Sequence, residues 1–171
     1  MKTKSIELLN KAVADELSAV HQYMYFHFHC DDQGYDLLAG LFKRTAIEEM
    51  LHIEKLAERI IFLKGDVEMT ASTEVKKIQD VNEMLKMAAD METSSAADYN
   101  KWAIECSNNA DSVSKSVFEE LVFASDCVDE FNCPTCGDED ICRLMSSFSC
   151  GQSSDPGDLS SSCGPSSGGF S

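Results

Sequence analysis

Three stretches of the chain repeat apolar residues at helical spacing, and each sets a carboxylate in the middle of its apolar stripe. From Leu38 to Gly65, at about 100° per residue, Leu38, Phe42, Ala46, Glu49, His52, Ile53, Leu56, Ile60 and Leu63 share one face. Such a face turns into a core, and an isolated charge there is too costly unless it is paired or bound to metal. Glu49 and His52 lie one turn apart on this helix, so Glu-x-x-His asks for a partner. Residues Thr3 to about Cys30 carry a similar pattern. Leu9, Val13, Glu16, Val20, Tyr23 and His27 fall within about 40° of one line. Met24, Tyr25, Phe26 and Phe28 extend apolar surface round the other side, which favours contacts between subunits. Asp31-Asp32-Gln33-Gly34 is a turn signal.

The second helix is expected over Tyr35 to Lys64, with Gly65 as its C-cap. A polar connection from Asp66 to about Asp80 leads to a third pattern with Val81, Leu85, Ala88, Glu92, Ala96, Tyr99, Ala103 and Cys106 on one face. Glu92 again takes the central position. A fourth pattern runs from about Ala110 to Phe131, with Ala110, Val113, Val117, Leu121, Ala124, Val128 and Phe131 inward. It has no central acid or histidine: Glu120 and Cys127 lie on one edge, and Asp126 and Asp129 project to the opposite face. The prediction is an all-α protein, with a four-helix bundle over 1–132 and a Cys-, Ser- and Gly-rich tail over 133–171 that has too few apolar residues to fold.

Any one buried acid can be a satisfied core polar group. Three helices that each carry one at mid-stripe, one with histidine a turn away, point instead to a metal site inside the bundle. Carboxylate oxygens with an imidazole suit iron or manganese, whereas zinc sites usually hold more Cys or His.

Composition narrows the setting. A chain of 171 residues can build one substantial core. A net charge of −16 leaves no basic patch for nucleic acid, and acidic surfaces gather cations. The sequence has no apolar run long enough for a membrane span and its first residues lack the apolar core of a signal peptide, so a soluble cytoplasmic protein is expected. Six of the eight cysteines follow position 126, which in a reducing compartment reads as free thiols or metal ligands. Cys133 and Cys136 form a CxxC pair, a candidate zinc or iron-sulfur ligand pair.

The segments DELSAVHQY (15–23), EEMLH (48–52) and ERIIFLKG (58–65), with the Glu92 helix at the right interval, resemble those of the bacterioferritins in the ferritin-like superfamily. The resemblance covers roughly residues 5 to 123 and implies a ferritin-like up-down bundle with a long crossover between the second and third helices. It also implies a di-iron centre that oxidises Fe²⁺ with O₂ or peroxide, in a multi-subunit shell that stores Fe³⁺. Carried over by position, it makes Glu16 a terminal ligand of one iron, Glu49 the bridging carboxylate, His52 an imidazole ligand and Glu92 the terminal ligand of the other iron. Tyr23 becomes a nearby aromatic that hydrogen-bonds a ligand or passes an electron. Met50, about 100° from Glu49 and so directed out of the bundle, matches a methionine that ligates haem b between two subunits; ordinary interface packing is the alternative.

The fourth helix departs from the family. A second Glu-x-x-His is expected in a segment like ADEERH, and this chain reads VFASDCVDEF. Cys127 falls nearest the histidine position if a gap precedes it, an ungapped reading offers Ser125 and Val128, and Glu120 is the nearest acid by helical phase. A weakly held second iron, a thiolate ligand from Cys127 and a degenerate site all remain open. A rubrerythrin-like peroxide reductase using the late thiols is a second functional reading, and a non-catalytic haem- or metal-binding helical protein a third.

Overall fold

The computed structural model describes residues 2–126, and Cys127, Cys133, Cys136 and the expected tail lie outside them. Four helices follow one another: α1 (Lys2–Asp32), α2 (Asp36–Phe62), α3 (Val81–Asn108) and α4 (Ser112–Asp126). No strand occurs among the described residues. The first three helices fall close to the expected ranges.

Helix ends follow from local hydrogen bonding. At the end of α1 the Gly34 N–H donates to Asp31 O and the Tyr35 N–H to Cys30 O, with Gly34 at φ 79°. This paired closure, in which one residue takes the left-handed conformation, satisfies carbonyls that the last turn would leave bare. The same pair of bonds closes α2 through Lys64 and Gly65, and α3 through Ala110 and Asp111. The left-handed residues there are Lys64 (φ 65°) and Ala110 (φ 55°). The expected C-cap Gly65 therefore sits one position beyond the strained residue. Its lack of a side chain serves packing, since a Cβ would lie 2.8 Å from Ile6 Cγ2 and 3.0 Å from Ile60 Cγ2. Asp80 caps α3 by accepting from the Glu83 N–H at 3.0 Å.

The connection between α2 and α3 runs back along α1. Asn10 Nδ2 donates to Asp66 O and Asn10 Oδ1 accepts from the Glu68 N–H. The Ser72 N–H donates to Ala14 O, and the Thr73 N–H to Ser18 Oγ. Gln22 bonds both the N–H and the C=O of Lys76, and Gln33 Nε2 reaches Gln79 O. Asn10, Ala14, Ser18 and Gln22 recur every fourth residue, so one polar row on α1 satisfies the backbone of a connection that has no ladder of its own. The crossover returns the chain to the far end of α1, which makes α3 antiparallel to α1, and α4 antiparallel to α3.

The core forms two blocks. Leu8, Leu9, Val13, Leu56, Ile60, Trp102, Phe118 and Leu121 belong to one; Tyr23, Phe26, Phe42 and Met84 belong to the other. Between them on α1, α2 and α3 fall Glu16, Glu49 and Glu92. Phe26, expected on the outer face, is fully buried with its ring 5.2 Å from that of Phe42, while Phe28 does stay exposed. On α4 the inward residues are Ser114, Phe118, Leu121 and Val122, with Val117 half-buried. Val113 is 54% exposed and Ala110 lies in the linker, so the expected inward stripe is rotated at its start. Asp111, held by Arg59 of α2, sets that rotation by capping α4 through the Ser114 N–H.

Candidate metal centre

Glu16 comes from the middle of α1, and Glu49 and His52 from the middle of α2, each carried inward by the apolar residues a turn away on either side. One ligand atom from each lies within 4.8 Å of the other two. His52 Nδ1 is 2.7 Å from Glu49 Oε2 and 3.5 Å from Glu16 Oε1. Glu16 and Glu49 are buried, and His52 is half-buried. Glu92 of α3 lines the same cavity, together with Tyr23, Met91, Tyr99 and, from α4, Leu121. Its carboxylate is turned to Tyr23, whose hydroxyl donates to Glu92 Oε1 at 2.6 Å.

Tyr99 was legible only as a core position. Its hydroxyl donates to Glu16 Oε1 at 2.5 Å. A buried tyrosine hydroxyl needs a polar partner, and Tyr99 sits seven residues after Glu92, on the face of α3 that carries it. Tyrosine hydroxyls therefore hold two of the three carboxylates, one from each side of the cavity.

The charges do not close. Three carboxylates meet one imidazole in a poorly solvated space. Burial, and next the Glu16 charge, push the Glu49 carboxyl well above its ordinary range. Burial also raises Glu92. Burial would raise Glu16 too, but hydrogen bonds from His52 and Glu49 and the His52 charge outweigh it and bring Glu16 down. Burial pulls His52 down, but its bonds to Glu16 and Glu49 and their charges carry it up to about 10. A divalent cation could take the place of the protons that burial favours on Glu49 and Glu92, and let all three carboxylates ionise. The donors are hard carboxylate oxygens and one imidazole nitrogen, a set that fits iron or manganese.

The fourth-helix candidates divide. Glu120 points away from the cavity, is exposed, and pairs with Lys55 Nζ at 2.6 Å, so it is not the missing ligand. Cys127, and the Cys133/Cys136 pair proposed for zinc or iron-sulfur, lie outside the described residues. Met50 is 50% exposed on α2.

A sequence model of the ferritin-like domain, described as Ferritin, matches residues 6–124. The bacterioferritin of Desulfovibrio desulfuricans is 39% identical over 121 residues, which are 71% of this chain and 68% of that protein. The chain belongs to the bacterioferritin family. Among its relatives, the bacterioferritin of Brucella melitensis is 37% identical over 70% of this chain and 74% of its own length. That of Rhodobacter capsulatus is 32% identical over 70% and 74%. The crystal structure of the Desulfovibrio desulfuricans bacterioferritin, described with its diiron site in different catalytic states, superposes with a TM-score of 0.71 at 38% identity, covering 72% of each chain. The family match ends before Cys127. No described helix of this family member is long and apolar enough to cross a membrane.

Proposed function

We propose that this protein binds Fe²⁺ at Glu16, Glu49, His52 and Glu92, oxidises it with O₂ or peroxide, and stores the Fe³⁺ inside a multi-subunit shell. The observation that carries the reading is the close group of Glu16, Glu49 and His52, with ligand atoms within 4.8 Å of one another and Glu92 lining the same cavity. Carboxylates favour Fe³⁺ over Fe²⁺ because the higher charge gains more from each anionic oxygen, so binding the substrate ion here also makes it easier to oxidise. The diiron site of the Desulfovibrio desulfuricans relative supports iron as the ion.

Each residue has a part. Glu16 and His52 hold one ion and Glu49 contributes to both positions, while Glu92 serves the second. Tyr99 and Tyr23 orient Glu16 and Glu92 through their hydroxyls. The two positions are unequal, because Glu92 stands outside the close three-donor group and α4 brings the apolar Leu121 to the cavity. Stopped-flow oxidation of Fe²⁺ tests the assignment. Glu49→Ala should abolish the fast phase while circular dichroism stays helical; an unchanged rate would remove Glu49 from the mechanism.

The reading extends to haem. Met50 stands exposed on α2 with Ile47 and Leu51, an apolar band suited to a second copy of the chain with haem b between two Met50 side chains. Reconstituted wild type should show a bis-methionine spectrum that Met50→Leu lacks. Failure of the wild type to take up haem in either redox state ends this part of the proposal.

A further inference from the structure

The cavity beside the acid cluster is bordered by one sulfur-bearing side chain, and iron oxidation has no use for it. Met91 of α3 lines the cavity next to Glu92, with Ala19, Ser95 and Leu121 on its less charged side. The other methionines of α3 serve packing. Met84 is fully buried, and its sulfur accepts from the Cys30 thiol at 3.6 Å. Met87 is half-buried against the same apolar block and is not among the residues that line the cavity. Met91 also packs on that block, yet it is half-buried and meets the space where the cluster's donors converge. Leucine would fill that volume equally well. A thioether differs in one respect: it gives a pair of electrons to a peroxide oxygen and becomes a sulfoxide.

We propose that Met91 is a peroxide-oxidised modification site: with a divalent cation in the group of Glu16, Glu49 and His52, a hydrogen peroxide in the cavity transfers one oxygen atom to the Met91 thioether. The sulfur lone pair attacks one peroxide oxygen as the O–O bond breaks. The leaving oxygen keeps the electron pair of that bond and takes up, through solvent, the proton of the transferred hydroxyl. Thioether and hydrogen peroxide thus give sulfoxide and water. Sulfur is oxidised by two electrons, peroxide is reduced by two, and the cation keeps its charge while polarising the peroxide. The cavity holds the reactants together, which a methionine on the surface cannot do. The purpose follows from the inequality of the two ion positions. Glu92 stands outside the close group, so a single Fe²⁺ occupies the cluster before a second joins it. Peroxide that takes one electron from a single Fe²⁺ splits into hydroxide and a hydroxyl radical, whereas sulfur supplies the electrons as a pair. Methionine sulfoxide reductases return the thioether afterwards.

The inference rests on the reading of the cluster as a cation site, and Zn²⁺, which accepts carboxylate and imidazole donors and has no redox chemistry, tests it without iron. Metal-free full-length protein is titrated with Zn²⁺ in a calorimeter, treated with hydrogen peroxide and digested for mass spectrometry. Met50 and Met69 are internal controls, being 50% and 63% exposed and outside the cavity lining. In the Zn²⁺-loaded protein Met91 should gain an oxygen at least about tenfold faster than either, and it should lose that lead without Zn²⁺. Oxidation in order of exposure, with Met69 and Met50 ahead of Met91, overturns the inference. An equal lead for Met91 without Zn²⁺ overturns the part given to the cation. Zn²⁺ that fails to bind overturns the reading of the cluster and the inference with it. In helical Met91→Leu protein given one equivalent of Fe²⁺ and peroxide, spin-trapped hydroxyl radical should rise severalfold over wild type; equal yields overturn the protective role.

Discussion

Two groups of charged side chains lie inside this bundle, and they solve the problem of burial in opposite ways. Where α2 meets α4, Arg59 Nη2 donates to Asp111 Oδ1 at 2.6 Å and Arg59 Nε to Ser114 Oγ at 2.9 Å. Ser114 Oγ donates in turn to Asp111 Oδ2 at 2.7 Å. One cation meets one anion, and a hydroxyl fills the space between them. The two designs share α2, on which His52 and Arg59 are seven residues apart. In the acid cluster three carboxylates face one imidazole. A closed set of charges locks helices together, whereas an open set has a place for a cation.

The comparison can be broken by experiment. Arg59 and Asp111 side chains are 11% and 12% exposed, and removing Arg59 from this half-buried pair leaves Asp111 with only its bonds to Ser114. Arg59→Ala should therefore cost about 1.5–3 kcal/mol in urea unfolding. A loss under about 1 kcal/mol would place this pair with ordinary surface salt bridges.

The open cluster should respond with the opposite sign. Glu49→Gln removes a charge that burial and Glu16 both oppose. In metal-free protein it should stabilise the fold by about 1–2 kcal/mol. Destabilisation of that size would mean that the charges were already balanced.

The two groups also titrate in different directions. Burial would raise Asp111, but Ser114 above all, with help from Arg59, brings it down to about 2. Its contribution is present above the ordinary value of 3.8 and is lost as pH falls through 2. His52, raised to about 10, contributes fully below its ordinary 6.5, and that stability is lost as pH rises through 10. Glu49, raised as well, adds loss above its ordinary 4.5. Metal-free protein should thus weaken from mildly acidic to alkaline pH, with the slope reduced in Glu49→Gln and the acid limb reduced in Arg59→Ala. Flat unfolding midpoints between pH 6 and 10 would count against the His52 assignment.

The smallest effect belongs to Lys55 and Glu120, whose side chains are 47% and 65% exposed. Lys55→Ala should change stability by no more than about 0.5 kcal/mol and leave metal affinity alone. A marked change in affinity would return Glu120 to the metal centre.

The sequence carried the metal half of this contrast and missed the other. Glu16, Glu49, His52 and Glu92 stood out because a charge at the centre of an apolar stripe needs only its own helix to be noticed. Arg59 and Asp111 are 52 positions apart, and neither interrupts an apolar stripe. Without that clamp the phase of α4 was ambiguous, since Val113, Val117, Phe118, Leu121 and Val122 offer more than one apolar stripe. The Tyr99 hydroxyl escaped for a related reason, because its ring satisfies the pattern while its partner lies 83 residues away. The polar side chains of Asn10, Ser18 and Gln22 stand at multiples of four residues, but only the returning crossover gives them meaning. Lys64 and Ala110 gave no signal at all, being residue types that seldom take the left-handed conformation.

Anaerobic calorimetric titration of the metal-free protein with Fe²⁺, in wild type and Glu49→Gln, tests the central claim that the open cluster awaits a cation. The account predicts one tight equivalent per chain in the wild type, a weaker one after it, and loss of the tight step in Glu49→Gln. Equal affinity and stoichiometry in the two proteins would contradict it.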